Sequence, residues 1–336
     1  MTPNDFIPDQ WYPILDSETL RRRRPVGVKR LGERLVLWRD SGGNAVCATD
    51  RCPHRGVQLS LGRVCDGQLE CPYHGLRFNA GGECVMIPAN GDDAPVPRGF
   101  DLISRVVREG HGLIWCWYGD PALATDAIPW FVEAPDPGPR TGWIADDYPV
   151  SYLRVMENFG DLHHVPFVHR ATIPGAGTRA EVEEARLDGD VVRLKVTLRH
   201  QRPRRLKIAY SFATAIRLPA LVSITFARRA HFVAAATPID ETHTWLWARY
   251  RQDYVPGWMG GRLIARLGAR FDFRSVFSRQ DMRMLASQQL DNSCDISHYH
   301  LLEADGAIAL YFAIRKRAIE QAQSKAAAPS TLSAAH

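Results

Sequence analysis

The chain has no apolar run long enough to cross a membrane, since none reaches about 18 residues. Its N-terminal stretch, MTPNDFIPDQWYPIL, lacks a basic segment followed by an apolar core, so we expect no signal peptide and no membrane partner. Seven cysteines are an odd number spread over 336 residues, which does not fit a secreted disulfide framework. Reduced thiols in the cytoplasm, some of them metal ligands, fit better.

A strong charge bias is also missing. The net charge is +5, and the basic runs at 21–24 and 202–207 are short. No aromatic platform or known binding motif accompanies them, so we expect no nucleic-acid partner. The composition, 45% hydrophobic and 24% charged, is that of a folded protein, and the length allows two domains.

The first 126 residues are predicted to form an all-β domain. Apolar segments alternate around Gly32 and again around 41–44, the pattern of consecutive hairpins. A connection rich in Pro and Asp at 127–143 marks a domain boundary.

Residues 127–322 are predicted to form an α+β domain of the helix-grip (START-like) type, and 323–336 a disordered tail of low complexity. Strand patterns occupy much of 182–250. Helical patterns lie on either side of these strands, at 151–170, 275–291 and 306–321. An antiparallel sheet flanked by helices accounts for this order.

Two mixed Cys-His pairs lie in the first domain, and 16 residues, 55 to 70, separate them. The four side chains are Cys52, His54, Cys71 and His74. Zinc fingers usually pair Cys with Cys and His with His, whereas each pair here supplies one thiolate and one imidazole. This arrangement favours a [2Fe-2S] cluster with both Cys on one iron and both His on the other. Neutral imidazoles raise the potential, which suits a cluster that receives electrons from a ferredoxin.

These pairs resemble the signature of the Rieske family, C-x-H and C-x-x-H, and their surroundings RCPHRG and CPYHGLRF resemble it as well. Respiratory Rieske proteins carry a disulfide two residues beyond each pair. Those positions here are Gly56 and Leu76, so the resemblance implies the oxygenase branch.

A second cluster of polar residues lies in the segment MENFGDLHHVPFVHR. On a straight α-helix His164 and His169 would diverge by about 140°, because successive residues turn by about 100°. Pro166 lies between them and is expected to break the helix so that the two rings converge. Two imidazoles and one carboxylate leave open positions on Fe(II), as in the facial triad of non-haem iron oxygenases.

The same segment resembles the N-x-x-D-x-x-H-x-x-x-x-H motif of Rieske oxygenase catalytic domains through Asn158, Asp161, His164 and His169. The resemblance implies that the two His bind iron. It also implies that Asp161 bridges to the cluster ligand His74 of a neighbouring subunit in a homotrimer. His163 is out of register and is interpreted as a supporting or packing residue.

The third iron ligand is expected to be a carboxylate at the start of the last helix. Asp305 lies there, where it could equally cap the helix, and Asp291 and Asp295 are the alternatives.

The resemblance implies the terminal component of a short-chain Rieske oxygenase. Such a component takes two electrons from a ferredoxin or a flavin-dependent reductase, which draws them from NAD(P)H, and uses O2 to hydroxylate or demethylate a hydrophobic aromatic or alicyclic molecule. Three alternatives stay open: a ring cis-dihydroxylating dioxygenase, a Rieske electron-transfer or ligand-binding protein without oxygenase activity, and a zinc-stapled structural protein.

Two further sets of residues follow from this interpretation. An acidic ferredoxin would dock on basic residues near the cluster, namely Arg51, Arg55, Arg63 and Arg77. An apolar substrate pocket is expected in the second domain, lined by candidates that are equally compatible with plain core packing: Phe212, Ile216, Phe226, Phe232, Trp247, Met282 and Leu285.

Overall fold

The structure, a computed structural model, describes residues 6–91, 93–134, 136–200, 210–226, 230–288, 296–297 and 299–327. The chain divides into two compact units, one of residues 9–129 and one of residues 1–8 with 130–336. Among the described residues no helix is both long and apolar enough to span a membrane.

The first unit consists of short antiparallel strands in three sheets. Its strands are β1 Gln10–Asp16, β2 Val26–Arg30, β3 Glu33–Arg39, β4 Ala45–Thr49, β5 Arg63–Cys65, β6 Gln68–Glu70, β7 Arg77–Phe78, β8 Cys84–Met86, β9 Ser104–Arg105, β10 Val107–Gly110 and β11 Leu113–Tyr118. The sheets have the strand orders β1-β11-β10, β2-β3-β4-β9 and β5-β6-β7-β8.

The two predicted hairpins of this unit are present. Strands β2 and β3 are joined by Leu31 and Gly32, whose φ angles of 56° and 80° are both in the left-handed region that a tight hairpin turn requires. Strands β3 and β4 pair on either side of residues 40–44. A core that includes Trp38, Leu69 and Phe78 lies beneath the two Cys-His loops and fixes their bases.

The second unit is built on one seven-stranded antiparallel sheet of order β12-β18-β17-β16-β15-β14-β13. Its strands are β12 Thr141–Tyr148, β13 Arg179–Asp188, β14 Val191–Arg199, β15 Tyr210–Arg217, β16 Leu221–Phe226, β17 Ala230–Pro238 and β18 Thr244–Gln252. Its helices are α1 Tyr152–Gly160, α2 Val165–Val168, α3 Gly261–Phe271, a π-helix Asp272–Asp281, α4 Met282–Leu285 and α5 Gly306–Ala327.

Helices α1, α3 and α5 pack on this sheet at different places: α1 against β15 and β17, α3 against β12 and β18, and α5 against β13 and β14. The fully buried Arg315 ties α5 to α1, since its guanidinium donates two hydrogen bonds to the Tyr152 hydroxyl, at 3.1 and 2.9 Å. The predicted fold class, an all-β domain followed by a sheet flanked by helices, is confirmed.

The domain bounds differ in detail from the prediction. Residues 6–8 group with the second unit, where Phe6 is buried and packs on the Tyr152 ring at a centroid distance of 6.1 Å. Helix α5 continues to Ala327, so the predicted tail does not begin at 323, and residues 328–336 lie outside the described residues.

The helices near the second cluster of polar residues also differ. Pro166 does not break the helix. The break falls earlier, at 161–164, because Asp161 ends α1 in an extended conformation and Pro166 lies in the first turn of α2. The predicted helix 275–291 overlaps the end of a continuous helical segment that begins at Gly261, contains ten π-helical residues and ends at Leu285. Residues 289–291 lie outside the described residues.

Candidate metal centres and substrate cavity

The two Cys-His loops of the first unit have the same backbone structure. In each loop the Cys N–H donates to the carbonyl five residues later, Val57 or Leu76, at 2.8 Å. The glycine four residues after each Cys, Gly56 or Gly75, donates back to the Cys carbonyl at 2.8 or 3.1 Å. These glycines have φ of 74° and 73°, which a residue with a Cβ adopts only under strain.

The four predicted cluster ligands converge at the tips of these loops. His54 Nδ1 and His74 Nδ1 lie 3.1 Å apart, a separation expected of two nitrogen ligands about 2.1 Å from one ion. The Cys52 and Cys71 thiols contact each other and are buried, whereas both imidazoles are exposed. This donor set fits a [2Fe-2S] cluster with a buried thiolate-bound iron and an imidazole-bound iron at the surface.

The second group of polar residues is organised by Asp161, which follows α1. Its Oδ1 accepts hydrogen bonds from the backbone N–H groups of His163 and His164, at 3.0 and 3.2 Å. Burial opposes ionisation, but the hydrogen bonds from these two residues and their charges hold the pKa of Asp161 well below its usual range. Asp161 is therefore an anion that fixes the turn carrying His164.

His164, His169 and Asp281 form the candidate second metal centre, with one ligand atom from each residue within 4.8 Å of the others. The two His Nε2 atoms lie 3.2 Å apart, and Asp281 Oδ1 lies 3.4 and 3.1 Å from them. This buried carboxylate oxygen makes no well-formed hydrogen bond. Burial lowers the pKa of His164, but the carboxylates of Asp161 and Asp281 raise it to about 9, so the centre favours positive charge. Two imidazoles and one carboxylate fit a facial triad for Fe(II).

Asp305, the residue predicted as the third ligand, does not belong to this group. Its Oδ2 accepts a hydrogen bond from the Leu302 backbone N–H at 2.7 Å, and its Oδ1 lies 3.7 Å from His163 Nδ1. It caps the turn that leads into α5, so the structure places Asp281, and not the predicted Asp305, beside the two His. The alternatives Asp291 and Asp295 lie outside the described residues.

Gln280 is a second residue that the sequence analysis missed. Its Oε1 lies 2.9 Å from His169 Nδ1, where it accepts the ring proton, and its Nε2 donates to the Ser275 carbonyl at 2.9 Å. The His169 proton is thus held on Nδ1, which leaves Nε2 free for a metal. Gln280 and Asp281 end the π-helix, a conformation found in other proteins mainly as short bulges at functional sites.

A cavity of about 350 Å³, here called the aromatic cavity, lies directly against the three candidate ligands. Its wall contains seven phenylalanines and one tyrosine: Phe159, Phe212, Phe226, Phe232, Phe271, Phe273, Phe277 and Tyr250. Of the predicted lining residues, Phe212, Phe226 and Phe232 are therefore placed as expected. Ile216, Trp247 and Met282 are buried core residues instead.

Two further polar side chains, Asp272 and Tyr250, line the aromatic cavity. The Asp272 carboxyl lines it and has no hydrogen-bond partner among the described residues, and burial raises its pKa to about 6. Burial, together with the neighbouring Tyr254 and Asp272 groups, raises the pKa of Tyr250 to about 12. The cavity is therefore apolar with few polar anchors, which suits an aromatic or alicyclic ligand.

A second cavity of about 410 Å³, here called the carboxylate cavity, is lined by Glu157, Asn158, Asp161 and Asp305 among others. Asn158 and Asp161 line both cavities, and His163, Asp305 and Leu285 line the carboxylate cavity alone. His163 Nδ1 lies 2.9 Å from Asp161 Oδ1, so His163 supports Asp161 and is not part of the candidate metal group.

Comparison with known sequences matches both units. The family described as "Rieske [2Fe-2S] domain" matches residues 10–101, and the family described as "Vanillate O-demethylase oxygenase C-terminal domain" matches residues 148–321. The oxygenase component of dicamba O-demethylase from Stenotrophomonas maltophilia is 39% identical over 188 residues, which are 55% of each chain. Chlorophyllide a oxygenase from Chlamydomonas reinhardtii is 38% identical over 162 residues, 48% of this chain and 24% of that protein. The chain thus spans between about a quarter and about half of the length of these relatives.

Solved structures agree on the fold. Dicamba monooxygenase bound to 3,6 dichlorosalicylic acid superposes with a TM-score of 0.75 at 23% identity, covering 96% of this chain and 99% of that one. Pseudomonas putida NdmA with caffeine, as a QL mutant, has a TM-score of 0.73 at 22% identity, with 96% and 94% covered. The vanillate O-demethylase match alone covers just over half of the chain. The chain belongs to the Rieske oxygenases, with a Rieske [2Fe-2S] domain followed by a catalytic domain of the vanillate O-demethylase type.

Proposed function

We propose that the protein is the terminal component of an oxygenase that uses O2 and two electrons to hydroxylate or oxidatively demethylate a hydrophobic aromatic or alicyclic molecule. One observation carries this proposal: the ligand atoms of His164, His169 and Asp281 converge on a wall of the aromatic cavity. A carrier that only transferred electrons would need neither the triad nor the cavity.

The residues have distinct roles in this proposal. Fe(II), held by His164, His169 and Asp281, would supply the site where O2 is activated. Asp161 orients His164, whose Nδ1 lies 3.4 Å from the carboxylate, and Gln280 holds the proton of His169 on Nδ1. The phenylalanines position the substrate and exclude water. Asn158 lines both cavities next to Asp161, where its carboxamide can contact the substrate.

We also propose that electrons reach Asp161 from His74 of a neighbouring subunit in a homotrimer. His74 is exposed at the loop tip, and the Asp161 side chain is 27% exposed beside the carboxylate cavity. The exposed rim of that cavity would then be where the neighbour's cluster docks. Asp161→Asn tests this step, because it should leave cluster reduction intact and stop electron transfer to the iron.

The electrons are proposed to come from NAD(P)H through a flavin-dependent reductase, a ferredoxin or both. Several relatives are named as oxygenase components, which implies separate redox partners. Among the arginines considered for docking, Arg63 and Arg77 both pair with Glu70, at 2.7 and 2.9 Å. Arg51 and Arg55 are exposed and are therefore the better residues to test. Arg51→Glu with Arg55→Glu should lower the ferredoxin-dependent rate at low salt.

The cytoplasm is the proposed location. The described cysteines Cys47, Cys52, Cys65, Cys71, Cys84 and Cys116 are all free thiols. Cys47 and Cys116 contact each other in the core without a disulfide, as reduced thiols would.

Relatives guide the reaction type. Their names include demethylase, monooxygenase and N-alkylformylase, so ring dihydroxylation is the less favoured reaction. The substrate is best sought among methoxylated and N-alkylated aromatic compounds of a size that fits about 350 Å³.

The test is a turnover screen of such compounds with a reductase and ferredoxin, in which products are detected by mass. His164→Ala should keep the cluster absorbance and lose turnover, whereas His243→Ala, an exposed histidine outside both centres, should keep both. Turnover by the His164→Ala protein would overturn the proposal. An iron content that His164→Ala leaves unchanged would favour a protein with the cluster alone.

A further inference from the structure

Helix α3 and the turn before it expose a row of large apolar side chains, here called the outer face of α3. The row consists of Trp258, Met259, Leu263, Ile264, Leu267 and Phe271. Trp258 is 86% exposed, Leu263 62% and Phe271 57%. Contiguous apolar surface of this kind is uncommon on a protein without a partner and marks an interaction site.

The opposite side of α3 is already used for packing. Gly261, Ala265 and Ala269 are buried, and a Cβ built on Gly142 of β12 would lie 2.5 Å from the Arg266 backbone nitrogen. A Cβ on Gly268 would lie 3.0 Å from the Tyr250 ring. Because the helix backbone lies this close to the sheet, α3 cannot rotate to bury its outer face.

The charges of α3 are segregated as well. Arg262, Arg266 and Arg270 are all exposed and recur every four residues, so they form one row beside the apolar row. No acidic residue occurs from Gly257 to Phe271. An exposed helix with a large apolar stripe, a tryptophan and a row of arginines is typical of helices that lie in the interface of an anionic membrane.

The outer face of α3 also reaches the aromatic cavity. Phe271 lines this cavity while more than half of its side chain is exposed, and Gly268 and Asp272 line the cavity beside it. The outer face of α3 is therefore continuous with the wall of the aromatic cavity at Phe271.

We propose that the outer face of α3 docks on an anionic lipid surface and places the wall of the aromatic cavity next to the lipid. This inference goes beyond the proposed function, because it concerns a peripheral membrane interaction that needs no turnover. It also revises the expectation of no membrane partner. Helix α3 has eleven residues, which is too short to span a membrane but long enough to lie in its interface.

Vesicle co-sedimentation of the iron-loaded protein tests this directly. Vesicles of phosphatidylcholine with phosphatidylglycerol should bind the wild type, vesicles of phosphatidylcholine alone should bind it weakly, and salt should release it. Leu263→Ser with Leu267→Ser should weaken binding about tenfold or more, since two apolar anchors are lost. Arg266→Gln with Arg270→Gln should remove the preference for the anionic lipid.

A matched control uses two exposed apolar residues elsewhere in the same unit. Val132→Ser with Leu187→Ser should bind vesicles like the wild type, which shows that lost apolar surface alone is not enough. Two outcomes would overturn the proposal: no vesicle binding at low salt, or equal binding by the Leu263→Ser, Leu267→Ser protein. If either outcome is found and Leu263→Ser with Leu267→Ser also changes the mass of the oligomer, the outer face of α3 would be a contact with a second copy of the chain. Lipid-free turnover of a water-soluble substrate should be unchanged in all variants, so failure here is separable from failure of the proposed function.

Discussion

Replacing Gln280 by Leu should weaken the mononuclear iron site without touching any of its ligands. Gln280 Oε1 accepts the Nδ1 proton of His169 at 2.9 Å, and the other end of the carboxamide is held by the Ser275 carbonyl. Leucine has a similar volume and fills the same space, but it leaves a buried N–H without a partner. His169 is only 4% exposed, so solvent does not replace the lost hydrogen bond.

The size of the effect follows from the cost of that orphaned donor. An unsatisfied buried polar group costs about 1 to 3 kcal/mol, which corresponds to about 5- to 150-fold in iron affinity. Loss of the partner that orients a ligating histidine typically costs about 10- to 100-fold, which agrees. If the His169 proton moved to Nε2 in the Gln280→Leu protein, Nε2 could no longer bind the metal, and the loss of iron affinity would lie at the upper end of this range.

The assay is titration of the iron-depleted centre with Fe(II) against a competing chelator, with the cluster absorbance as an internal standard. Gln280→Glu is the matched control, because its carboxylate still accepts the His169 proton and should retain or increase the affinity. If Gln280→Leu bound iron as tightly as the wild type, the role assigned to Gln280 would be refuted.

Two further predictions concern the glycine of a cluster loop and the carboxyl in the aromatic cavity. Gly75→Ala should lower the free energy of unfolding by about 1 to 2 kcal/mol, because φ is 73° and the new Cβ would lie 3.1 Å from Pro88 Cγ. It should also speed the loss of the cluster, measured by absorbance. The control Gly189→Ala, with φ of 61° and no atom near the new Cβ, should keep the cluster. Asp272→Asn should raise the melting temperature relative to the wild type, and this difference should be larger at pH 7.5 than at pH 5. Burial raises the pKa of Asp272 to about 6, so the stability it contributes when protonated is lost as pH rises through that value, by about 1 kcal/mol over this interval. An advantage of Asp272→Asn that does not change with pH would contradict this.

The sequence predicted that Cys52, His54, Cys71 and His74 come together, and they do, because all four lie within two short loops. The same holds for Asp161, His164 and His169, which lie within a segment of nine residues. Asp161 also explains why the segment breaks where it does. Its carboxylate accepts two backbone N–H bonds from the following turn, a local interaction that competes with the helix.

Asp281 was not identified from the sequence because its position beside His164 and His169 depends on tertiary structure. Asp281 lies inside a helical segment and not at the start of a helix, 112 residues from His169. A signal was present, since Phe273, Phe277, Asp281 and Leu285 recur every four residues and are all buried. A buried carboxylate in an otherwise apolar stripe is stable only when it is paired with a positive charge or bound to a metal. The π-helix that aims Asp281 and Gln280 at His169 could not be read from the pattern, because its i→i+5 hydrogen bonds leave no distinct sequence period.

The lining of the aromatic cavity was predicted only in part for a similar reason. Phe212, Phe226 and Phe232 were found because strand alternation assigns them to one face of the sheet. Phe271, Phe273 and Phe277 come from α3 and the π-helix, and their approach to the sheet depends on the small residues beneath α3.

The most direct test of the account is the iron content of two purified variants, Asp281→Ala and Asp305→Ala, compared with the wild type. A cluster plus one mononuclear site corresponds to about three irons and two sulfides per chain. Asp281→Ala should retain the cluster colour with about two irons, while Asp305→Ala should keep about three irons and lose only about 1 kcal/mol of capping stability. Loss of the third iron from Asp305→Ala, with Asp281→Ala fully loaded, would contradict the assignment of the catalytic centre.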